Sequence, residues 1–276
     1  MNLDIFPVDW TSGDVVPEDP KEDPWYRITA FGKTPAGESA TLHVRFTPYF
    51  FVELPSDWSE ARGRLFVTET VGKHRGVASK SMLVRRKSAW GFTNNAARLM
   101  AQLAFPTKSA AQQARRALAK QHQTYEATVE PLIRVFHLRK ISPAGWISAS
   151  GCQPPKRREA NTDVELETSF ERLSPGVHGA RPPLVIASWD IETYSESGKF
   201  PLPENPRDYL VQISTAFQRY GDPEPYLRTV VCFRDTAPVE GAEIVSCERE
   251  HEVINEWIRL VRREKTDVLI GYNTMQ

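Results

Sequence analysis

Apolar and polar positions divide the chain into two patterned regions with an unpatterned stretch between them. Residues 25–31 (WYRITAF) form a short apolar run, residues 32–37 (GKTPAG) hold the Gly and Pro of a turn, and residues 40–46 resume the run. Together they predict a β-hairpin. An acidic, Pro-containing stretch precedes it at residues 14–24. Residues 50–54 predict a third strand stopped by Pro55, and residues 98–105 a further one. Residues 108–122, rich in Ala and Gln and free of Gly and Pro, predict a helix. Residues 132–141 alternate and predict a strand. The outcome for residues 1–145 is a sheet with one or two packed helices, an α+β domain. Pattern then fails from Ser142 to Pro183: Pro143, Pro154, Pro155, Pro175, Pro182 and Pro183 fall among Gly and Ser, so part of this stretch is expected to be an interdomain connection, assigned to residues 146–183.

The second region is more regular. Residues 184–191 read as a buried strand, and a Pro-rich loop at residues 200–206 leads to a second strand at 209–217, with Val211, Ile213 and Phe217 on one face. Gly221, Asp222 and Pro223 turn the chain into a third strand at 226–233. A helix is predicted at 247–264, striped by Val253, Ile254, Trp257, Ile258 and Val261. Its acidic start (Glu248, Glu250) and basic end (Arg262, Arg263, Lys265) complement the helix dipole. A last strand follows at 267–272. Strand, strand, strand, helix, strand is the order of the ribonuclease H-like α/β fold. In that fold the first strand is central and the last lies parallel beside it.

Composition adds exclusions. Met1-Asn2-Leu3-Asp4 is no start for a signal peptide, and no apolar run approaches the length of a membrane span. Cys152, Cys232 and Cys247 are scattered, so they make neither a zinc motif nor a disulfide framework, and a reducing intracellular compartment is the simpler reading. Net charge is zero, yet residues 1–160 carry 23 Lys and Arg against 15 Asp and Glu, while residues 161–276 carry 12 against 20. From Arg62 to Arg158 there are 19 basic residues and three acidic ones, Glu69, Glu126 and Glu130. A phosphate backbone is the economical partner for such a stretch.

The candidate chemistry lies at the end of the run 184–189. Residues two apart in a strand share a face, so Asp190 and Glu192 aim their carboxylates at one point, with Cα atoms roughly 6.6 Å apart. Two hard oxygen donors suit Mg²⁺ or Mn²⁺. A second half-motif, Gly271-Tyr272-Asn273, also follows an apolar strand. Lys80, Arg85, Arg86 and Lys87 with Trp90 and Phe92 mix cations and rings, as sites for single strands do. Arg115, Arg116 and Lys120 read instead as solvated charges of the predicted helix, and Trp257 as core.

In residues 187–193 (ASWDIET) the chain resembles the first motif of the 3′→5′ proofreading exonuclease of family B DNA polymerases. Residues 200–201 and 208–214 resemble the loop and strand that follow it, and residues 271–273 the opening of the second motif. Residues 30–34, 46–52, 90–94 and 131–146 resemble the N-terminal domain of the delta-like polymerases of large nucleocytoplasmic DNA viruses. The resemblance implies an α+β N-terminal domain at 1–145, a connection at 146–183 and an incomplete exonuclease domain at 184–276. It implies that Asp190 and Glu192 hold two Mg²⁺ or Mn²⁺ ions and that Thr193 and Asn273 lie near the substrate strand. It implies DNA as partner, both primer-template and a single-stranded 3′ end, with a polymerase module of the same parent and a sliding clamp. The setting would be intracellular, in a host nucleus or a cytoplasmic viral replication site, without a membrane. The chain breaks off inside the second motif, so it is expected to be a fragment without nuclease or polymerase activity of its own. Two other readings stay open: a free-standing exonuclease of the same fold, and a non-catalytic module that binds single-stranded nucleic acid.

Overall fold

The computed structural model describes residues 1–73, 80–88, 92 and 94–272, and the chain divides into two compact units. The first comprises Met1–Thr34 and Glu38–His178. Its strands and helices are β1 (Leu3–Val15), β2 (Trp25–Lys33), β3 (Ser39–Phe46), β4 (Tyr49–Glu53), α1 (Glu60–Lys73), β5 (Met82–Lys87), β6 (Ala97–Ala104), α2 (Lys108–Leu118), β7 (Thr124–Tyr125), α3 (Pro131–Arg139), β8 (Ile147–Ala149), β9 (Val164–Ser169) and β10 (Leu173–Pro175). They build a six-stranded sheet, ordered β10-β8-β1-β2-β3-β9, and a four-stranded one, ordered β5-β6-β4-β7.

The expected hairpin is present. β2 and β3 pair antiparallel from Tyr26 with Phe46 to Lys33 with Ser39. One face of this hairpin, Tyr26, Ile28, Ala30, Leu42, Val44 and Phe46, is buried with Ile5 of β1 and Val135 of α3. In the four-stranded sheet, Phe50, Val52, Ala101 and Leu103 pack against Val67 of α1 and Ala114 of α2.

Two expectations for this unit are corrected. Residues 132–141 form helix α3, not a strand. Pro131 sits at the first turn, where its missing N–H costs nothing, and Lys140 ends the helix in the left-handed region at φ 54°. The apparent alternation is not used: Ile133 and Leu138 are exposed, while Pro131, Arg134 and Val135, three and four residues apart, are buried. The stretch 146–183 is not mainly a connection either. β8 and β10 extend the large sheet beyond β1, and β9 lies parallel beside β3. Pro175 is tolerated there because β10 is an edge strand. β1, α1, β5 and β7 had no counterpart in the sequence reading. β1 in particular carries Pro7, Asp9 and Asp14 and buries only Leu3, Ile5 and Pro7.

The second unit comprises Pro35–Gly37 and Gly179–Gln276. β11 (Val185–Tyr194), β12 (Tyr209–Arg219), β13 (Leu227–Phe233), β14 (Glu243–Cys247), α4 (Glu250–Arg263) and β15 (Val268–Gly271) follow in order. The sheet runs β14-β13-β12-β11-β15. β15 lies parallel beside β11 as expected. Among the described strands, however, the centre is β12, and β14 is an additional strand parallel to β13. Cys247 therefore closes a strand, and the helix starts at Glu250. Its first turn is tied down by Glu252, whose carboxylate accepts the N–H groups of Glu248 and Arg249.

α4 covers one face of this sheet. Val253 and Leu260 are buried with Ala187, Ile213, Phe217 and Val231. Trp257 meets Trp189 at 4.9 Å between ring centroids and donates its indole N–H to Thr215 at 3.0 Å. Ile254, counted in the predicted stripe, is 45% exposed instead. Among the described residues no helix is long and apolar enough to cross a membrane. Leu260→Ala should destabilise this unit by about 2–4 kcal/mol, as large-to-small core changes do. Ile254→Ala should stay within about 0.5 kcal/mol. Urea titration of the two variants checks the pair, and equal losses would mean that α4 docks through a different face.

Candidate metal-binding carboxylate pair

Alternation along β11 separates two kinds of surface. Ala187, fully buried, and Trp189 face α4. Ser188, Asp190 and Glu192 take the opposite face, and all three are exposed. Asp190 lies directly across from Ser214 of β12, and Glu192 across from Gln212. Past Glu192 the register jumps, because Thr193 pairs with Leu210 and leaves Val211 as an extra residue in β12. A bulge of this kind bends the strand and re-aims the side chains next to it. Asp190 also accepts the N–H of Ile191 on Oδ1 at 3.0 Å, which orients its carboxylate.

The neighbouring strand brings the second half-motif alongside. The last parallel pair between β11 and β15 is Trp189 with Gly271, so the chain after Gly271 leads off beside Asp190. Tyr272 is 91% exposed, and Asn273 lies outside the described residues. Thr193 sits at the bulge and alternates onto the face opposite the carboxylates. Two exposed carboxylates on one face, with no cation paired to either among the described residues, are a donor set of the kind hard divalent ions take. Among the described residues no group of three or more His, Cys, Asp or Glu converges.

The loop after β11 is held by a residue that the sequence reading passed over. Asp208 accepts the backbone N–H of Leu202 at 2.9 Å and that of Glu196 at 3.3 Å. Arg207 bridges to Glu196 at 2.8 Å. The Leu202 N–H, followed by Ser195, Asn205 and Glu196, holds the Asp208 carboxyl below the usual carboxylate range. The available signal was the Asn205-Pro206-Arg207-Asp208 turn composition, which marks a loop without naming its anchor.

The other nominated residues lie in the first unit. Lys80 pairs with Glu171 at 3.1 Å and Arg85 with Glu60 at 3.3 Å. Arg86 and Lys87 are exposed at the end of β5 and take part in no ion pair among the described residues. Phe92 is 97% exposed, and Trp90 lies outside the described residues. Much of the basic stretch is neutralised from outside it. Glu53 meets Arg98, Glu22 meets Lys156, Glu18 meets Arg157 and the buried Glu165 meets Arg158. Arg134 is itself buried, held by Glu126 at 2.5 Å and by the Tyr49 ring at 4.2 Å.

A family model described as DNA polymerase family B, exonuclease domain, matches residues 122–276, more than half of the chain. The chain belongs to that family. It is 48% identical over 274 residues to a DNA polymerase of Paramecium bursaria Chlorella virus NY2A, covering 99% of this chain and 30% of that protein. It is 30% identical over 285 residues to the DNA polymerase delta catalytic subunit of Bos taurus, covering 92% of this chain and 25% of the relative. A family B DNA polymerase structure from Pyrobaculum calidifontis matches with a TM-score of 0.61 at 17% identity, over 99% of this chain and 30% of that one. That likeness shows a shared fold. The family B exonuclease chain thus spans less than a third of the length of these relatives.

The Asp208 anchor gives a test of the loop. Its folded-state pKa is depressed, so its contribution is fully present above the ordinary carboxylate pKa and is lost as pH falls through the lower folded value. Asp208→Ala should therefore speed amide exchange at Leu202 and Glu196 at neutral pH, and the unaltered chain should show the same loosening only in acid. Equal exchange in the two proteins at neutral pH would remove Asp208 as the anchor.

Proposed function

We propose that this chain is the N-terminal domain and part of the proofreading exonuclease domain of a family B DNA polymerase, and that Asp190 and Glu192 belong to a two-metal 3′→5′ exonuclease site in a ribonuclease H-like sheet. The observation that carries this reading is the placement of the two carboxylates: one exposed face, at the end of β11, beside the outgoing end of the parallel strand β15. Divalent Mg²⁺ or Mn²⁺ ions, when bound, would activate the attacking water and stabilise the departing 3′ oxygen.

The protein's own part is to hold the oxygen donors ready. Ala187 and Trp189, packed against the α4 side, fix the strand's rotation so that Asp190 and Glu192 face outward together. The Ile191 N–H biases the Asp190 carboxylate before any ion arrives. Asn273, in the segment leading away from β15, is the candidate contact to the substrate strand, and Thr193 a weaker one. Two carboxylates complete neither metal shell, so the 276-residue chain by itself would be inactive. DNA with a single-stranded 3′ end is the substrate, and a polymerase module and a sliding clamp are the partners this reading implies.

Joined to the remainder of such a polymerase, Asp190→Ala with Glu192→Ala should lower exonuclease activity by about 10²-fold or more, since each ion loses a fixed ligand. DNA synthesis should persist. Release of 3′ nucleotides at the parental rate by the double variant would sink the metal assignment. Of Lys80, Arg85, Arg86, Lys87, Trp90 and Phe92, the candidates for contact with a single strand, Arg86 and Lys87 are exposed and carry no ion pair among the described residues. Arg86→Glu with Lys87→Glu should flatten the salt dependence of oligonucleotide binding by about 1.4 in log–log slope, at about 0.7 per phosphate neutralised. An unchanged slope would return both to the solvated surface.

A further inference from the structure

One cavity of the first unit takes no part in the chemistry above. It has a volume of about 380 Å³ and lies on the polar face of the large sheet, between β2, β3 and β9 and the loop at 151–160. Arg27 and Arg45 both line it, and they sit directly opposite each other in the ladder of β2 and β3. Like charges placed that way repel and destabilise a sheet. Arg27 is compensated by Glu159, which it meets through both guanidinium nitrogens at 3.0 and 2.9 Å. Arg45 pairs with no carboxylate among the described residues; its guanidinium lies over the Trp25 ring, 4.7 Å from the centroid. Lys156, Arg157 and Arg172 line the same cavity, against Glu22, Glu159 and Glu167.

The rim of this cavity is shared by an acidic segment. Residues 16–24, the loop between β1 and β2, are mostly exposed. From that loop Glu22 lines the cavity and pairs with Lys156, while Glu18 pairs with Arg157 at 3.2 Å. Both pairs are exposed, so they are weak and screened by salt. The basic loop is anchored more firmly than the acidic one. Buried Glu165 accepts the N–H groups of Glu159 and Ala160, and Gln153 and Glu167 exchange both backbone hydrogen bonds. We propose that the cavity is a phosphate site, with Arg45 as its principal donor and the acidic loop as a displaceable stand-in for the ligand. A guanidinium lying over a ring keeps the N–H groups of its edge free, and that planar fork matches phosphate oxygens. The phosphate comes either from the backbone of a single-stranded nucleic acid or from a free polyphosphate such as pyrophosphate. A merely solvated surface needs neither a second arginine opposite the first nor a carboxylate loop folded onto the same cations. The site does not depend on the carboxylate pair of the second unit.

The test uses the 276-residue chain in EDTA, so that no divalent ion bridges a probe to Asp190 and Glu192. Binding of a fluorescein-labelled oligothymidylate is followed by anisotropy and binding of pyrophosphate by calorimetry, both at low salt. At least one probe should bind, and Arg45→Gln should weaken it by about tenfold or more, as loss of a hydrogen bond between charged groups does. Glu18→Gln with Glu22→Gln should tighten the same probe by about two- to fivefold, the range that release of exposed pairs allows. Lys156→Gln with Arg157→Gln, on the exposed loop, should weaken it as well. Thermal unfolding identifies any variant lost to misfolding, and the two loop variants decide if Arg45→Gln is lost. Dependence on these cations for the oligothymidylate assigns the site to a nucleic-acid backbone, and the same dependence for pyrophosphate alone assigns it to a free polyphosphate. If neither probe binds, or if both ignore Arg45→Gln and the Lys156 and Arg157 variant, the cavity is no phosphate site. Unchanged affinity in the Glu18 and Glu22 variant overturns the role given to the acidic loop. None of these outcomes touches the exonuclease reading, which the Asp190 and Glu192 variants test separately.

Discussion

The period of two along β11 is the constraint on which the second unit depends. Ala187 is fully buried beneath α4, and Trp189 packs on Trp257. Those contacts leave Ser188, Asp190 and Glu192 only the opposite face. A slip of one residue in the pairing with β12 would turn both carboxylates into the core, where unpaired charge is costly, and would bring Ala187 and Trp189 into water. The register is protected on two sides, by the antiparallel ladder to β12 and the parallel one to β15. Hydrophobic burial on one face thus sets which side chains the other face presents.

The first unit shows the same economy in a different form. Its hairpin of β2 and β3 buries one face around Ile28, Leu42 and Val44. The other face carries a polar layer in which His43 lies between Thr29, at 3.0 Å, and Glu165, at 2.9 Å. Glu165 also accepts the backbone N–H groups of Glu159 and Ala160, so one buried carboxylate fastens the loop at 151–160 across the sheet. Burial works against its charge, but the His43 bond and the two amides prevail and hold its pKa down. A basic loop of Lys156, Arg157 and Arg158 is thereby made part of a fold rather than a free polycation.

The charge distribution gains a different meaning in three dimensions. Counted along the chain, residues 62–158 look like one continuous footprint for a polyanion. In the folded protein Glu18, Glu22, Glu53, Glu60, Glu165 and Glu171 reach into that stretch from outside it. Exposed pairs of this kind add little stability, about 0–1 kcal/mol each, but they reduce the local positive field that a phosphate backbone would meet. Arg86 and Lys87 at the end of β5, like Arg116, Lys120 and Lys140, are exposed and take part in no ion pair among the described residues.

The sequence by itself determined the hairpin at β2 and β3, strands β4, β6, β11, β12, β13 and β15, the bodies of α2 and α4, and the family, because each shows in local periodicity or in a contiguous motif such as residues 187–193. Asp190 and Glu192 were legible for that reason: two residues on one strand need no tertiary contact to share a face. Tertiary structure alone decided what depends on distant partners. Residues 132–141 alternate well enough for a strand, yet Pro131 and the left-handed Lys140 bracket a helix whose buried side is chosen by the sheet it packs on. The proline-rich stretch after residue 146 became β8, β9 and β10 because β1 and β3 offered open edges. The ion pairs, the Asp208 anchor and the stack of Tyr194 on Tyr209 join residues 6 to 139 positions apart. Spacing along a chain carries no record of such meetings; they arise only when burial of the apolar faces has fixed which strands lie side by side.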